Sequence, residues 1–432
     1  MATTFKTFLN NDVTTTKTLL HEAIPITGAI MSGTYSTGKL DDGAGHAMVP
    51  TEFNIKNYSH GMFQSVYDYP YLSSSANHIL DISVGISSVS NLSGTINGVA
   101  DGHGGGNTAA KRTTRTQQEK KIAMYNQMAQ VLMGHDRNGN VQRFDRDGNL
   151  AETADDKMDE VIFLNFSRLL VKDEIKKGSF TIKFGTEQAM TTADLNKASG
   201  IAHLLTIQDT NAQNDFRINS PAGEYGILSA SHTATAGDQG MAGDTTGRSD
   251  PSKVGLIFYQ AGVVVLTASI FNGQGPTATA AGASPGGGLL HQPVSMSIGG
   301  VGGGFSSAHK HGAPGQVDAS INQMLTGSKI QNIANNIRKR LYDVSFNNTT
   351  ELNSTVYFCR ANHNEFNYSA NPSYLNESKI RVKDVPSDMP ISYVTSVGLY
   401  SPDNELMAVA KLSEPLRKDP TNELTLRVRL DY

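Results

Sequence analysis

The sequence predicts an α+β protein, mainly antiparallel β, with a helical middle segment and a C-terminal β-rich domain. Three observations carry this. Short apolar-alternating runs bounded by Gly, Asn and Ser clusters recur near both ends. Apolar residues at helical spacing appear around residues 116–132 and 330–341. Strands and helices come in segregated runs, which points away from a doubly wound parallel sheet. At 432 residues the chain exceeds one ordinary core. We divide it into a β-rich region 1–100, a loop-plus-helix region with hairpin turns at 101–178, a β-rich region 179–271, a Gly-rich insertion or arm at 272–315, and a helix plus C-terminal β-domain at 316–432.

The first hundred residues hold the β-like runs "AIPITGAIMSGTY", "GMFQSVYDYPYL" and "HILDISVGIS". Tyr58, Phe63, Tyr67, Tyr69 and Tyr71 crowd together, and alternation puts most of them on one sheet face. Core packing is the expected use, an exposed docking patch the alternative. "NGVADGHGGGNTAAKRTTRT" then reads as a mobile loop. Thr116-Gln117-Gln118-Glu119 has the form of a capping box that opens a helix with Ile122, Tyr125, Ala129 and Leu132 on its apolar stripe. "EVIFLNFSRLL", residues 160–170, fits either helix or strand.

"HDRNGNVQRF" and "DRDGNLAE" begin like calcium loops, but Gly139 and Gly148 fall at loop position four and neither twelfth residue is Glu. Asx-Gly hairpin tips account for the same letters. From Ser179 the chain is mainly β, with "GLIFYQ" and "VVVLTA" joined by a tight turn at Ala261-Gly262. Residues 272–315 contain thirteen glycines and one charged residue, Lys310. Such a stretch is either a mobile insertion or is ordered by a neighbouring subunit. A helix follows with Ile330, Ile333, Ile337 and Leu341 on one stripe, expected to pack on the C-terminal sheet. Lys329, Arg338, Lys339 and Arg340 are expected to face away or to favour its negative C-terminal end. "VTSVGLYSPDNELMAVAKL" then reads as a hairpin turning at Ser401-Pro402-Asp403-Asn404. The last strand alternates Leu424, Leu426, Val428 and Leu430 with Thr425, Arg427, Arg429 and Asp431.

Composition narrows the function. Charged residues make up 18%, below the usual quarter, Trp is absent and the formal net charge is -4. A surface of Ser, Thr, Asn, Gln and Gly suits large neutral contacts, and no basic footprint for nucleic acid stands out. Cys359 is the single cysteine, so no intrachain disulfide forms and a reducing cytoplasm is the expected place of folding. No secretory leader is visible, and the longest apolar run, residues 261–271, is too short to cross a bilayer.

The enzyme-like strings fail on chemistry. Gly282-Ala283-Ser284-Pro285-Gly286 matches a nucleophile elbow, but Pro285 has no N–H to offer an oxyanion. Gly273-Gln274-Gly275-Pro276-Thr277-Ala278 follows a strand, yet no helix opens after it to meet a pyrophosphate. His291, His309 and His311 have no carboxylate in their tract to complete a metal site. Cys359 sits in an apolar strand as a small hydrophobe. No catalytic, cofactor or metal residues are assigned, and the expectation is no enzyme and no cofactor.

"NEFNYSANPSYL" and "YVTSVGLYSPDNELMAVAKLSEPLRKDPTNELTLRVRLDY" resemble virion structural proteins of contractile-tailed bacteriophages, especially large marine and cyanobacterial ones. "LLHEAIPITGAIMSGTY", "NIKNYSHGMFQSVYDYPYLSSSANH" and "KIAMYNQMAQVLMGHD" look like the same group. The hairpin at 394–412 resembles that of tail-collar fibre domains, with Asp403-Asn404 in place of the usual Asp-Gly turn. The resemblance implies a tail, baseplate or fibre-attachment subunit that binds other virion proteins and copies of itself, assembled in the host cytoplasm, with no nucleic-acid or membrane partner. A neck, connector or capsid-associated protein is the neighbouring expectation, and a receptor- or polysaccharide-binding module the alternative of another class. The residues expected at a protein interface are Tyr400, Lys411, Arg427, Arg429 and Tyr432, with the hairpin and terminal strand forming one sheet that offers an edge to a neighbour.

Overall fold

The computed structural model describes residues 5–27, 30, 53–90, 92, 108–150, 157–185, 204–232, 253–271, 296–298, 317–319, 321–368, 375–376, 379–380, 387 and 389–431. Ser284, the Gly273–Ala278 string, His291, His309, His311 and Tyr432 lie outside them. The architecture is mainly antiparallel β with few helices. The chain forms two compact units, His21–Thr350 on the one hand and Met1–Leu20 with Glu351–Tyr432 on the other.

The strands of the larger unit in chain order are the end of β1 (Val13–Thr27), β2 (Ile55–Asn57), β3 (Gln64–Tyr67), β4 (His78–Ile86), β5 (Glu160–Phe166), β6 (Glu174–Ile175), β7 (Thr181–Gly185), β8 (Leu204–Gln208), β9 (Phe216–Arg217), β10 (Tyr225–His232), β11 (Lys253–Phe258), β12 (Val263–Thr267), β13 (Met296–Ile298), β14 (Val317–Ala319) and the first half of β15 (Leu341–Ala361). Its helices are α1 (Thr108–Leu132), α2 (Arg168–Val171), α3 (Ile321–Gly327) and α4 (Ile330–Arg340). The hydrogen-bonded order is β15-β7-β8-β10-β11-β12-β5-β4-β3-β2, and each neighbouring pair is antiparallel.

Successive residues in the middle of this sheet feed two different cores. Val161, Phe163, Val263, Val265, Leu256 and Phe258 join one apolar cluster with Tyr125, Ala129 and Leu132 of α1. Ile162, Leu164, Val264, Leu266 and Ile257 join another with Ile330, Ile333 and Ile337 of α4. A strand covered on both faces needs no polar alternation. That is why 160–166 could be read as a helix, and the structure makes it a strand. Gly85 on β4 sits under α1, where a Cβ would lie 2.8 Å from Phe163 Cε2 and 3.0 Å from Tyr125 Cα. The close approach of helix and sheet therefore depends on a missing side chain.

α1 begins eight residues before the expected capping box, so Thr116–Glu119 lie inside it. Ala109, Ala110, Lys111 and Arg112 come soon after Gly106 in the sequence and are good helix formers. The buried stripe of α1 runs through Lys121, Tyr125, Ala129 and Leu132, with Ile122 only half-buried. α4 buries Ile330, Ile333 and Ile337 as expected, but it packs against β4, not on the C-terminal strands. Its last-turn Arg338, Lys339 and Arg340 are buried instead of facing away. Arg338 donates to Gln64 Oε1 and Asn335 Oδ1, each at 3.1 Å, and Arg340 donates to the Gly185 carbonyl at 3.2 Å. The two Asx-Gly segments are turns: Asp136 Oδ1 accepts the amides of Asn138 and Asn140, both at 2.8 Å, and these backbone donors hold its carboxyl below the usual range. Gly139 and Gly148 take positive φ at the turns.

The smaller unit contains the second half of β15, β16 (Leu375–Asn376), β17 (Lys379–Ile380), β18 (Ser392–Tyr400), β19 (Leu406–Lys418) and β20 (Leu424–Asp431). β18 and β19 form the expected hairpin as a two-stranded ribbon of their own. Its turn closes through Asn404 N to Ser401 O at 3.0 Å and Ser401 N to Glu405 O at 2.9 Å. Asn404 has φ 62°, the left-handed conformation that Asn tolerates better than most residues, which explains how Asn stands where Gly is usual. The terminal strand does not extend this ribbon. β20 pairs antiparallel with β15 from Ser354↔Asp431 to Ala361↔Leu424. Asp419 fixes the turn into β20 by accepting the Thr421 amide at 2.9 Å.

Candidate interaction surface

The half of β15 that pairs β20, one side of the β18–β19 ribbon and the N-terminal residues 5–12 surround a groove of about 580 Å³ in the smaller unit. Its walls carry Phe5, Phe8, Phe358, Phe366, Leu399, Tyr400, Leu424 and Leu426, with Lys6, Asp12 and Arg360 as charged members and Thr7, Cys359, Ser396, Ser401 and Asn404 as polar ones. Period-two geometry places these residues: β20 turns Leu424 and Leu426 one way and the exposed Thr425 and Arg427 the other. The N-terminal residues are held by side chains alone. Phe5 meets Tyr400 edge-on at 4.9 Å between ring centroids, and Phe8 lies 5.5 Å from Tyr357. Lys6 Nζ pairs with Glu365 Oε2 at 2.5 Å, and that bond is the main reason the Glu365 carboxyl falls below its ordinary range.

Asp12 is buried and receives the Leu9 amide on Oδ2 at 3.0 Å. Arg360 Nε lies 2.7 Å from Asp12 Oδ1 but without hydrogen-bond alignment, so this contact is Coulombic. Burial, and then the charge of Asp12, push the Cys359 thiol up. A thiol held protonated is a poor nucleophile, and the groove offers apolar contact flanked by ion pairs, a lining suited to binding a chain segment.

Of the residues expected at an interface, Tyr400 lies on the groove, and Lys411 is exposed on the ribbon opposite Ser396. Arg427 is exposed on β20 opposite Phe358. Arg429 is tied down, donating to Asp431 Oδ1 at 2.7 Å and to Ser354 Oγ at 3.0 Å. Ser354 first and Arg429 next hold the Asp431 carboxyl down. Because β20 belongs to β15, the two arginines do not share a sheet with Tyr400 and Lys411. Phe5, Lys6, Phe8, Asp12, Arg360 and Glu365 were not foreseen. The sequence signal for the arm is slight: two phenylalanines in the Thr-rich opening "MATTFKTFLNND".

Several large apolar side chains of this unit are exposed. β1 is exposed at every position from Val13 to Ala23. On the ribbon, Met407 is 70% exposed, with Val409, Leu406 and Tyr393 also exposed. Scattered exposed apolar residues are ordinary, but a run of them along one hairpin marks a contact surface.

The aromatic residues of the larger unit form a second surface feature. None of Tyr58, Phe63, Tyr67, Tyr69 and Tyr71 is buried, contrary to the expected core role. Tyr58 stacks on His60 at 5.1 Å, and Phe63 lies tilted against both at 4.8 and 5.0 Å. Lys56 Nζ sits 4.9 Å from the Tyr58 centroid. Burial and a bond to Tyr58 push the Tyr67 hydroxyl up to about 12. The strands here are the last of the sheet and too short to cover such rings, so the cluster satisfies itself at the surface. Among the described residues no helix is long and apolar enough to cross a membrane. No protein-family model, curated protein or solved structure matches this chain.

Proposed function

We propose that the chain is a structural subunit of a bacteriophage virion, placed in the tail, baseplate or fibre-attachment region and working through protein–protein contacts. One observation carries most of the weight: the smaller unit leaves an apolar groove, a fully exposed β1 segment and an apolar two-stranded ribbon uncovered. An isolated two-stranded ribbon is marginal in water, and neighbours in an assembly supply what it lacks. The sequence resemblance at both ends supports the same reading. The test is gold-labelled antibody against the full chain on intact phage particles. Label at the tail or its distal end is expected; label on the head favours a capsid-associated role, and label nowhere on particles refutes the proposal.

A second reading, host-glycan binding, draws on the exposed Tyr69 and Tyr71 beside the Tyr58–His60–Phe63 stack. Aromatic faces suit the apolar faces of sugar rings, while Asp81 Oδ1 already accepts from Ser65 at 2.5 Å and from His78 Nε2 at 2.8 Å. Binding of host surface polysaccharide that is lost in Tyr69→Ala with Tyr71→Ala favours it; no binding by the intact protein rules it out.

A further inference from the structure

We infer that residues 5–20 are an exchangeable arm that seats on the Tyr357–Tyr400 side of a second copy of the same chain. This deepens the assembly reading above and rests on it. The arm is unusual in what holds it. Phe5 contacts Tyr400, Lys6 contacts Glu365, Phe8 contacts Tyr357 and Asp12 contacts Arg360. These partners lie 348 to 395 residues further along the chain.

Beyond the 3-10 turn Asn10–Asp12 the arm continues as β1, which lies beside β15 and is exposed from Val13 to Ala23. Release of the arm therefore breaks edge pairing, two ring contacts and three ion pairs, the third being Lys17 with Glu351 at 2.7 Å, while no apolar side chain of the arm is buried. Every one of those contacts is remade when the arm lies on another copy, because the copy carries the same groove. Contacts that are identical within and between chains cancel, and the balance is set by the entropy of association against the extra surface that becomes covered. The ribbon side chains Leu406, Met407 and Val409 and the arm's own Leu9, Leu19 and Leu20 are all exposed and provide that surface.

The occupant is fixed by complementarity. The arm offers a cation at Lys6 and an anion at Asp12, and the receiving side offers Glu365 and Arg360 in the matching positions, with Tyr357 and Tyr400 set for the two phenylalanines. A second copy of this chain is the partner that carries the pattern in register.

Unlabelled and heavy-nitrogen-labelled full-length chain are mixed unfolded, refolded together at high concentration and sized by gel filtration. The oligomer fraction is treated with a zero-length carbodiimide, which joins Lys6 to Glu365 where they pair, and the linked peptides are read by mass spectrometry. Arm exchange predicts that about half of the linked pairs carry mixed labels, as random pairing requires. It also predicts that the double variant Phe5→Ala with Phe8→Ala elutes as monomer. Oligomers whose links are all like-labelled, or whose size survives the double variant, overturn the arm exchange and leave the assembly reading standing. Monomer at every concentration overturns both.

Discussion

Lys121 in α1 gives the most quantitative test of the larger unit. Its side chain is buried, and Nζ donates to the Leu325 carbonyl of α3 at 2.5 Å, with no carboxylate paired to it among the described residues. Burial pushes its pKa down to about 7. A lysine in the unfolded chain titrates near 10.4, so between the two values the unfolded state holds more protons and stability must rise with pH. With 1.36 kcal/mol per pH unit, burial of this group costs about 4 kcal/mol at pH 7 and about 2 kcal/mol at pH 9. Lys121→Met removes the titration and leaves one carbonyl unpaired, a loss of about 1 kcal/mol that does not vary with pH. Urea unfolding followed by circular dichroism at both pH values measures the difference. The native chain should gain about 2 kcal/mol on the variant between pH 7 and pH 9. Parallel pH dependence of the two proteins would show that the ammonium is not buried as described.

Three further outcomes follow from single contacts. Lys157 pairs with Asp145 at 2.6 Å with both side chains almost fully enclosed; Lys157→Met should cost about 3–5 kcal/mol in urea titration, and adding Asp145→Leu should recover most of it. Gly85→Ala should lower stability by about 1–3 kcal/mol, seen as a drop in thermal midpoint, because its Cβ would press on Phe163 and the Tyr125 backbone. At the hairpin turn, Asn404→Val should cost about 1–2 kcal/mol while Asn404→Gly is neutral or mildly stabilising, since φ there is positive; equal behaviour of the two variants in limited proteolysis of the hairpin would contradict the turn geometry.

Local pattern was legible wherever local geometry decides. The β18–β19 hairpin, the tight β11–β12 turn at Gly262 and the isoleucine stripe of α4 all follow from residues close in sequence. Non-local choices were not. The alternation of β20 shows which face is apolar, but not that its partner is β15 rather than the adjacent hairpin, since either edge offers the same backbone groups. Val161 to Leu164 read as helix or strand because a doubly covered strand loses its period. Arg338 and Arg340 look solvated until Gln64 and the Gly185 carbonyl, far away in sequence, arrive to accept from them. The arm residues Phe5, Lys6, Phe8 and Asp12 carry no local signal for partners between residues 357 and 400.

The central claim, that this chain is a tail-region building block of a virion, is tested most directly by quantitative mass spectrometry of purified phage particles separated into head and tail fractions. The account predicts peptides from this chain in the tail fraction, in constant multi-copy ratio to other tail proteins across preparations. Abundant chain in the infected-cell lysate together with none in the particles would contradict it.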